Sequence, residues 1–212
     1  VSLLRIDASI QGERSASSAL ADLVLERFTA ERPDAAVVRR HLGADPLPAD
    51  AWPLAVGGSF TPEGERTPAQ RDALALAATV ADELRQADAA VLALPLYNWG
   101  VSQHVKAWID LAIAGAAPGT RLLEGTPVVA VVTRGGSYAE GTPKEGWDHS
   151  TEYYRRVLVD VWGADLTLVE RELTLAGVNP ALDELLEVAT LMRKTAEEAA
   201  GDAGAELARR VA

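Results

Sequence analysis

The sequence predicts an α/β domain built on a five-stranded parallel sheet with helices on both faces. Three observations carry this. Short apolar runs alternate with stretches of helical periodicity along the chain. The runs AAVLALPL at 89–96 and PVVAVVT at 127–133 are apolar throughout, as strands covered on both faces must be. The segments between strands are long enough for the crossover helices that parallel pairing requires.

The elements follow in order. LLRI at 3–6 is the first strand, and residues 17–31 form a helix with Leu20, Leu23, Val24 and Phe28 on one face. AAVVRRHL at 35–42 is the second strand. Residues 43–67 carry Pro46, Pro48, Pro53, Pro62 and several glycines, and read as a long irregular connection. Thr67 and Pro68 supply a cap and a first-turn proline for a helix to about Gln86. The third strand follows, then a helix over 102–114 with Val105, Trp108, Ile109 and Ala112 on one face. After the fourth strand, Asp148 or Ser150 is placed to cap a helix to about Trp162. ADLTLVERELT at 164–174 holds the fifth strand. Asn179-Pro180 opens the last helix, and the tail after 200 either continues it or frays. Nothing divides the chain, so residues 1–212 read as a single domain.

Composition removes several function classes. The net charge of −11 and scattered basic residues disfavour nucleic acid and anionic membranes as partners. Without cysteine there is no disulfide, thiol nucleophile or thiolate metal site. No run approaches the ~18 apolar residues of a membrane span. Arg5 and Asp7 interrupt the first apolar stretch, which a secretory signal would need to be longer. A soluble, cytoplasmic protein is expected. His41, His104 and His149 match no metal spacing, so no metal site is predicted.

Ligands of open parallel sheets bind beyond the carboxyl ends of the strands, where strand order reverses. Three loops lie there. DASIQGERSAS at 7–17 offers Ser9, Ser15, Ala16 and Ser17 at the start of a helix, whose free amides suit a phosphate. It has neither a dinucleotide fingerprint nor a lysine-bearing triphosphate loop. Ser15 or Ser17 also suits a plain helix cap. PLYNWG at 95–100 places Pro95, Leu96, Tyr97, Asn98 and Trp99 as one wall of a flat pocket; Trp99 also suits packing under the next helix. TRGGSY at 133–138 has Thr133, then Gly135 and Gly136 that either let a ligand approach backbone amides or shape a tight turn. Tyr138 is a ring contact or an exposed aromatic. Arg134 is read as solvated, with anion binding as its other role. Together the loops describe a pocket for a phosphorylated flat heterocycle, and flavin mononucleotide (FMN) fits all three.

These residues resemble the FMN-dependent NADH-azoreductase family of flavodoxin-like quinone reductases. The matching pieces are Ser9, Ser15-Ala16-Ser17, the run Pro95–Gly100 with Lys106–Asp110 behind it, and Thr133-Arg134-Gly135-Gly136. The resemblance implies strand order 2-1-3-4-5 and a homodimer whose pocket is completed across the interface. It implies that Ser9, Ser15 and Ser17 hold the FMN phosphate and that Leu96 to Trp99 line the ring. Thr133, Gly135 and Gly136 would approach its pyrimidine end. NADH or NADPH would pass hydride to flavin N5, then a quinone or azo compound would take it, in ping-pong order. The cofactor carries that chemistry; Tyr97, Tyr138 or His149 are the side chains placed to relay a proton. Residues 115–126 and Asp160–Gly163 depart from the family pattern, and leave the acceptor open. A flavin-binding electron carrier, or a flavin-free enzyme using Ser15 and His149, are the rival readings.

Overall fold

The computed structural model describes residues 1–211. Five strands, β1 (Ser2–Asp7), β2 (Ala36–His41), β3 (Ala89–Pro95), β4 (Pro127–Thr133) and β5 (Asp165–Arg171), pair in parallel in the order β2-β1-β3-β4-β5. This is the predicted sheet. The central β3 and β4 are buried at every residue, whereas the edge strand β2 has no buried residue, which is how Arg39 and Arg40 fit a strand.

Strand alternation sorts the core into two layers. Leu4, Ile6, Leu92 and Ala130 face α3 (Pro68–Arg85) and α4 (Gln103–Ala114). Leu3, Val91, Val129 and Val131 face α1 (Ala16–Glu31) and α6 (Leu186–Arg210). Thr67 caps α3 in a reciprocal capping box with Gln70, as its sequence position suggests. The last helix starts with a 3₁₀ turn, Pro180–Leu185, and the tail continues it to Arg210 rather than fraying. No helix among the described residues is long and apolar enough to cross a membrane.

The 43–67 connection differs from expectation. It contains α2 (Ala51–Ser59) and a 3₁₀ turn, Glu63–Glu65. Pro53 lies in the first turn of α2, where a missing N–H costs nothing. Gly58 faces α3 so closely that a Cβ would lie 2.9 Å from Leu74 Cδ1. Tertiary packing therefore outweighs two poor helix formers. The helix after Ser150 starts as α5 (Thr151–Arg155) and widens into a π turn, Arg156–Val161. Trp162, which follows it, is buried edge-on to Trp108 at 5.6 Å.

Candidate functional site

Strand order reverses between β1 and β3, and the loops after β1, β3 and β4 meet at that edge around a cleft of about 300 Å³. Ser9, Ser15, Ala16, Ser17, Pro95, Leu96, Tyr97, Asn98, Trp99, Thr133, Gly135, Gly136 and Tyr138 all line it.

The first loop is held from below and from the side. Arg5 and Asp7 alternate onto the α1 face of β1 and form a buried two-point ion pair, with Arg5 Nε and Nη2 each 2.9 Å from the carboxylate. Arg5 also donates to the Ser18 carbonyl at 3.1 Å and approaches Asp22 at 3.1 Å, which ties the first turn of α1 to the strand. From the side, the turn after β2 rests on the loop: a Cβ on Gly43 would lie 2.1 Å from the Ser9 carbonyl oxygen. Ser15 caps α1 by accepting from Ser18 N at 3.1 Å, and its hydroxyl is 3.2 Å from that of Ser17. The cap and a cleft-lining hydroxyl are thus one residue, not alternatives. The amides of Ala16 and Ser17, in the first turn, have no intrahelical acceptor.

The second loop is a two-residue turn. Tyr97 and Gly100 exchange N–H···O bonds of 3.3 and 3.0 Å, and the residues between them, Asn98 and Trp99, have φ of 48° and 65°. Both positive values define a type I′ geometry, which suits Asn and penalises Trp. Trp99 does not pack under the following helix; it is 48% exposed and stands edge-on to Trp147 at 6.0 Å. The Tyr97 hydroxyl accepts from Ile10 N at 3.2 Å and lies 3.3 Å from Ser9 Oγ, linking the second loop to the first.

In the third loop the carbonyls of Gly135 and Gly136 accept from Leu175 and Leu173, while their N–H groups bond to nothing among the described residues. Tyr138 is oriented by its own N–H, which donates to Glu172 at 3.1 Å. Burial, then the nearby Asp148 carboxylate, raises the Tyr138 phenol above its ordinary value. Free amides at α1 and at the glycines, with hydroxyls at one end and aromatic rings at the other, fit a phosphate-tailed aromatic ligand of the FMN type.

Arg134 corrects its expectation. It is neither solvated nor part of this cleft. Only 7% exposed, it donates to Asp148 at 2.6 Å, Glu170 at 2.7 Å and the Thr151 hydroxyl at 2.7 Å. These bonds close the back of the loop, beside a separate hollow of about 510 Å³ that shares Tyr138. Burial opposes the Asp148 charge, but bonds from Thr151, Ser150 and Arg134 outweigh it and hold the carboxyl well below the usual range. A lowered folded value means stability that is present above the unfolded value near 4 and lost as pH falls below it. Thermal melts from pH 5 to pH 2 are expected to fall less steeply for Asp148→Asn than for the parent chain. The difference is about 1.4 kcal/mol per pH unit at most.

Of the histidines, His149 presents an exposed ring while its N–H donates to the Trp99 carbonyl at 3.0 Å. No hydrogen bond joins it to Ser15 among the described residues, so the paired Ser–His reading has no geometric support. His41 accepts from Ala44 N in a turn, and His104 is half-buried. Sequence reasoning missed Gln11, Arg14, Lys144, Thr174 and Leu175 in the cleft wall, and Trp147 behind Trp99. The aromatic in GWDHST was the one available signal.

A family model described as flavodoxin-like fold matches residues 2–184. A Frankia alni FMN-dependent NADH:quinone oxidoreductase is 38% identical over 202 residues, covering 93% of this chain and 95% of the relative. The protein of that name from Streptomyces avermitilis is 37% identical, over 99% of this chain and 98% of the relative. Two solved structures share the fold. An azoreductase from Bacillus anthracis gives a TM-score of 0.77 at 20% identity, covering 97% of this chain and 99% of that one. An FMN-dependent NADH-azoreductase from the same species, in complex with FMN, gives 0.73 at 19%, covering 96% and 99%. The chain belongs to the flavodoxin-like family of FMN-dependent NADH:quinone oxidoreductases.

Proposed function

We propose that this chain is an FMN-dependent NAD(P)H oxidoreductase that reduces quinones or azo compounds. The carrying observation is the convergence of three loops, far apart in sequence, on one cleft with a hydroxyl-and-amide cradle at one end and aromatic walls at the other. When bound, FMN supplies hydride transfer between the nicotinamide and the acceptor. The protein binds, orients and shields. Ser9, Ser15 and Ser17 with the first amides of α1 hold the phosphate, and Arg14 adds positive charge there. Leu96, Tyr97, Asn98 and Trp99 flank the ring. Thr133 and the amides of Gly135 and Gly136 meet its polar edge, where fixed donors stabilise developing charge.

The half-exposed Trp99 and Trp147 leave the outer side of the cleft open. A second copy of the chain covering that side, with a cytoplasmic homodimer as the working form, is part of the proposal. The acceptor and the reduced nicotinamide use the same open side in turn, which gives ping-pong kinetics.

The test is a visible spectrum of the purified protein, titration with FMN, and NADH oxidation with benzoquinone as acceptor. A yellow protein, or one that quenches FMN fluorescence on binding, with benzoquinone-dependent NADH oxidation supports the reading. A protein that takes no FMN overturns it. One that binds FMN without turnover with either nicotinamide is an electron carrier instead.

A further inference from the structure

Two of the residues that line the cleft are basic, and they sit at opposite ends. Arg14 precedes Ser15 in the first loop, whereas Lys144 comes from the segment after β4. β1 and β4 are separated by β3, two strand spacings or about 10 Å. The Lys144 Nζ lies where a Cβ on Gly136 would meet it at 3.4 Å, and 5.6 Å from the centre of the Tyr138 ring. Lys144 therefore belongs with the ring end of the cleft, beside the free glycine amides.

The ammonium makes no ion pair among the described residues, although the chain carries a net charge of −11. Two carboxylates of this region are hydrogen-bonded to other groups. Glu145 accepts from Gly141 N at 2.7 Å. Glu172 accepts from the Ser137 hydroxyl at 2.7 Å and from Tyr138 N. An uncompensated cation held against glycine backbone in a cleft is placed for an anion that arrives with the ligand.

We propose that Lys144 is the cation that stabilises the negative charge acquired by the FMN ring on reduction, and that it thereby raises the ring's reduction potential. This rests on the proposed function above. Hydride is one proton with an electron pair. Its transfer leaves the nicotinamide one unit more positive and the ring one unit more negative, with no proton released. A cation beside the polar edge of the ring binds the reduced form in preference to the oxidised one. An opposite charge within about 4–6 Å shifts such an equilibrium tenfold or more. The glycine amides contribute partial charges there; Lys144 contributes a whole one. Lys144 would meet the ring from a segment outside the three turns that form the rest of the cleft.

The experiment compares the parent protein with Lys144→Met and Lys144→Arg. Oxidised FMN affinity is measured by titration, and the midpoint potential of each FMN-loaded protein by equilibration with a reference dye. In Lys144→Met the dissociation constant for oxidised FMN is expected to stay within about threefold. The preference for the reduced form falls about tenfold, which lowers the midpoint potential by about 30 mV. Lys144→Arg, which keeps the charge, is expected to hold the parent potential. An unchanged potential in FMN-loaded Lys144→Met overturns the inference and leaves the proposed function standing. So does equal weakening of both redox forms, which would make Lys144 a simple anchor. A change confined to the KM for NADPH would make it a contact to the nicotinamide's phosphate and would overturn the inference too. A parent protein that takes no FMN removes both.

Discussion

Replacing Asp7 with Asn is expected to lower stability by about 3 kcal/mol, the low end of what removing one partner of a buried ion pair costs. In a chain of this size that is a fall of about 6–12 °C in the melting temperature. Arg5 is 1% exposed and takes both of its strongest contacts from Asp7. Without that carboxylate its charge has only the Ser18 carbonyl and the exposed Asp22. The double variant Arg5→Met with Asp7→Leu should recover most of the loss, because apolar groups of similar volume replace such pairs at little cost. Calorimetry of the parent and the two variants checks this. If the double variant is as unstable as Asp7→Asn, the pair does more than compensate itself. FMN affinity should also fall in the double variant, since the strand would no longer fix the first turn of α1.

The second large effect separates stability from binding at one residue. Trp99 occupies a left-handed conformation, φ 65°, at a turn position that favours glycine. For a bulky side chain this costs about 1–2 kcal/mol. Its aromatic contact with Trp147 returns about 0.5–1.5 kcal/mol. Trp99→Gly is therefore expected to be as stable as the parent or up to about 1 kcal/mol more so. Trp99→Ala keeps the strained backbone, loses the ring, and should be the least stable of the three. Both variants should bind FMN at least about fivefold more weakly, given about 1–3 kcal/mol for stacking an aromatic side chain on a flat heterocycle. Urea melts with fluorescence titration provide both readings. Parent-like FMN binding in Trp99→Gly would mean the indole is not a wall of the ring site.

The sheet was legible because its strands are short and apolar and its helices amphipathic. Val91 to Leu94 and Val128 to Val132 leave little alternative. The three loops were legible because the switch-point rule says where to look and the residue types say what would bind there. Other features depend on partners remote in sequence. Arg134 looks like any solvated arginine until Asp148 and Glu170, 14 and 36 residues away, close around it. The helix over Ala51–Ser59 was hidden by Pro53, which a first turn tolerates, and by Gly57 and Gly58, whose propensities are overruled by contact with α3. Lys144 carried no local signal, since a single lysine in a polar loop is unremarkable until the backbone of Gly136 is found beneath it.

The contact between Gly43 and the Ser9 carbonyl sets a boundary for protein engineering. Any side chain at 43 would act as a wedge under the loop after β1, so the second crossover has no freedom at its start. Beyond it, Ala44 to Asp50 are exposed before α2 begins, apart from Leu47, which packs against the core. Insertions, fluorescent tags or a relocated chain terminus placed in that stretch on either side of Leu47 should leave the cleft intact. The same graft one or two residues earlier would dismantle it.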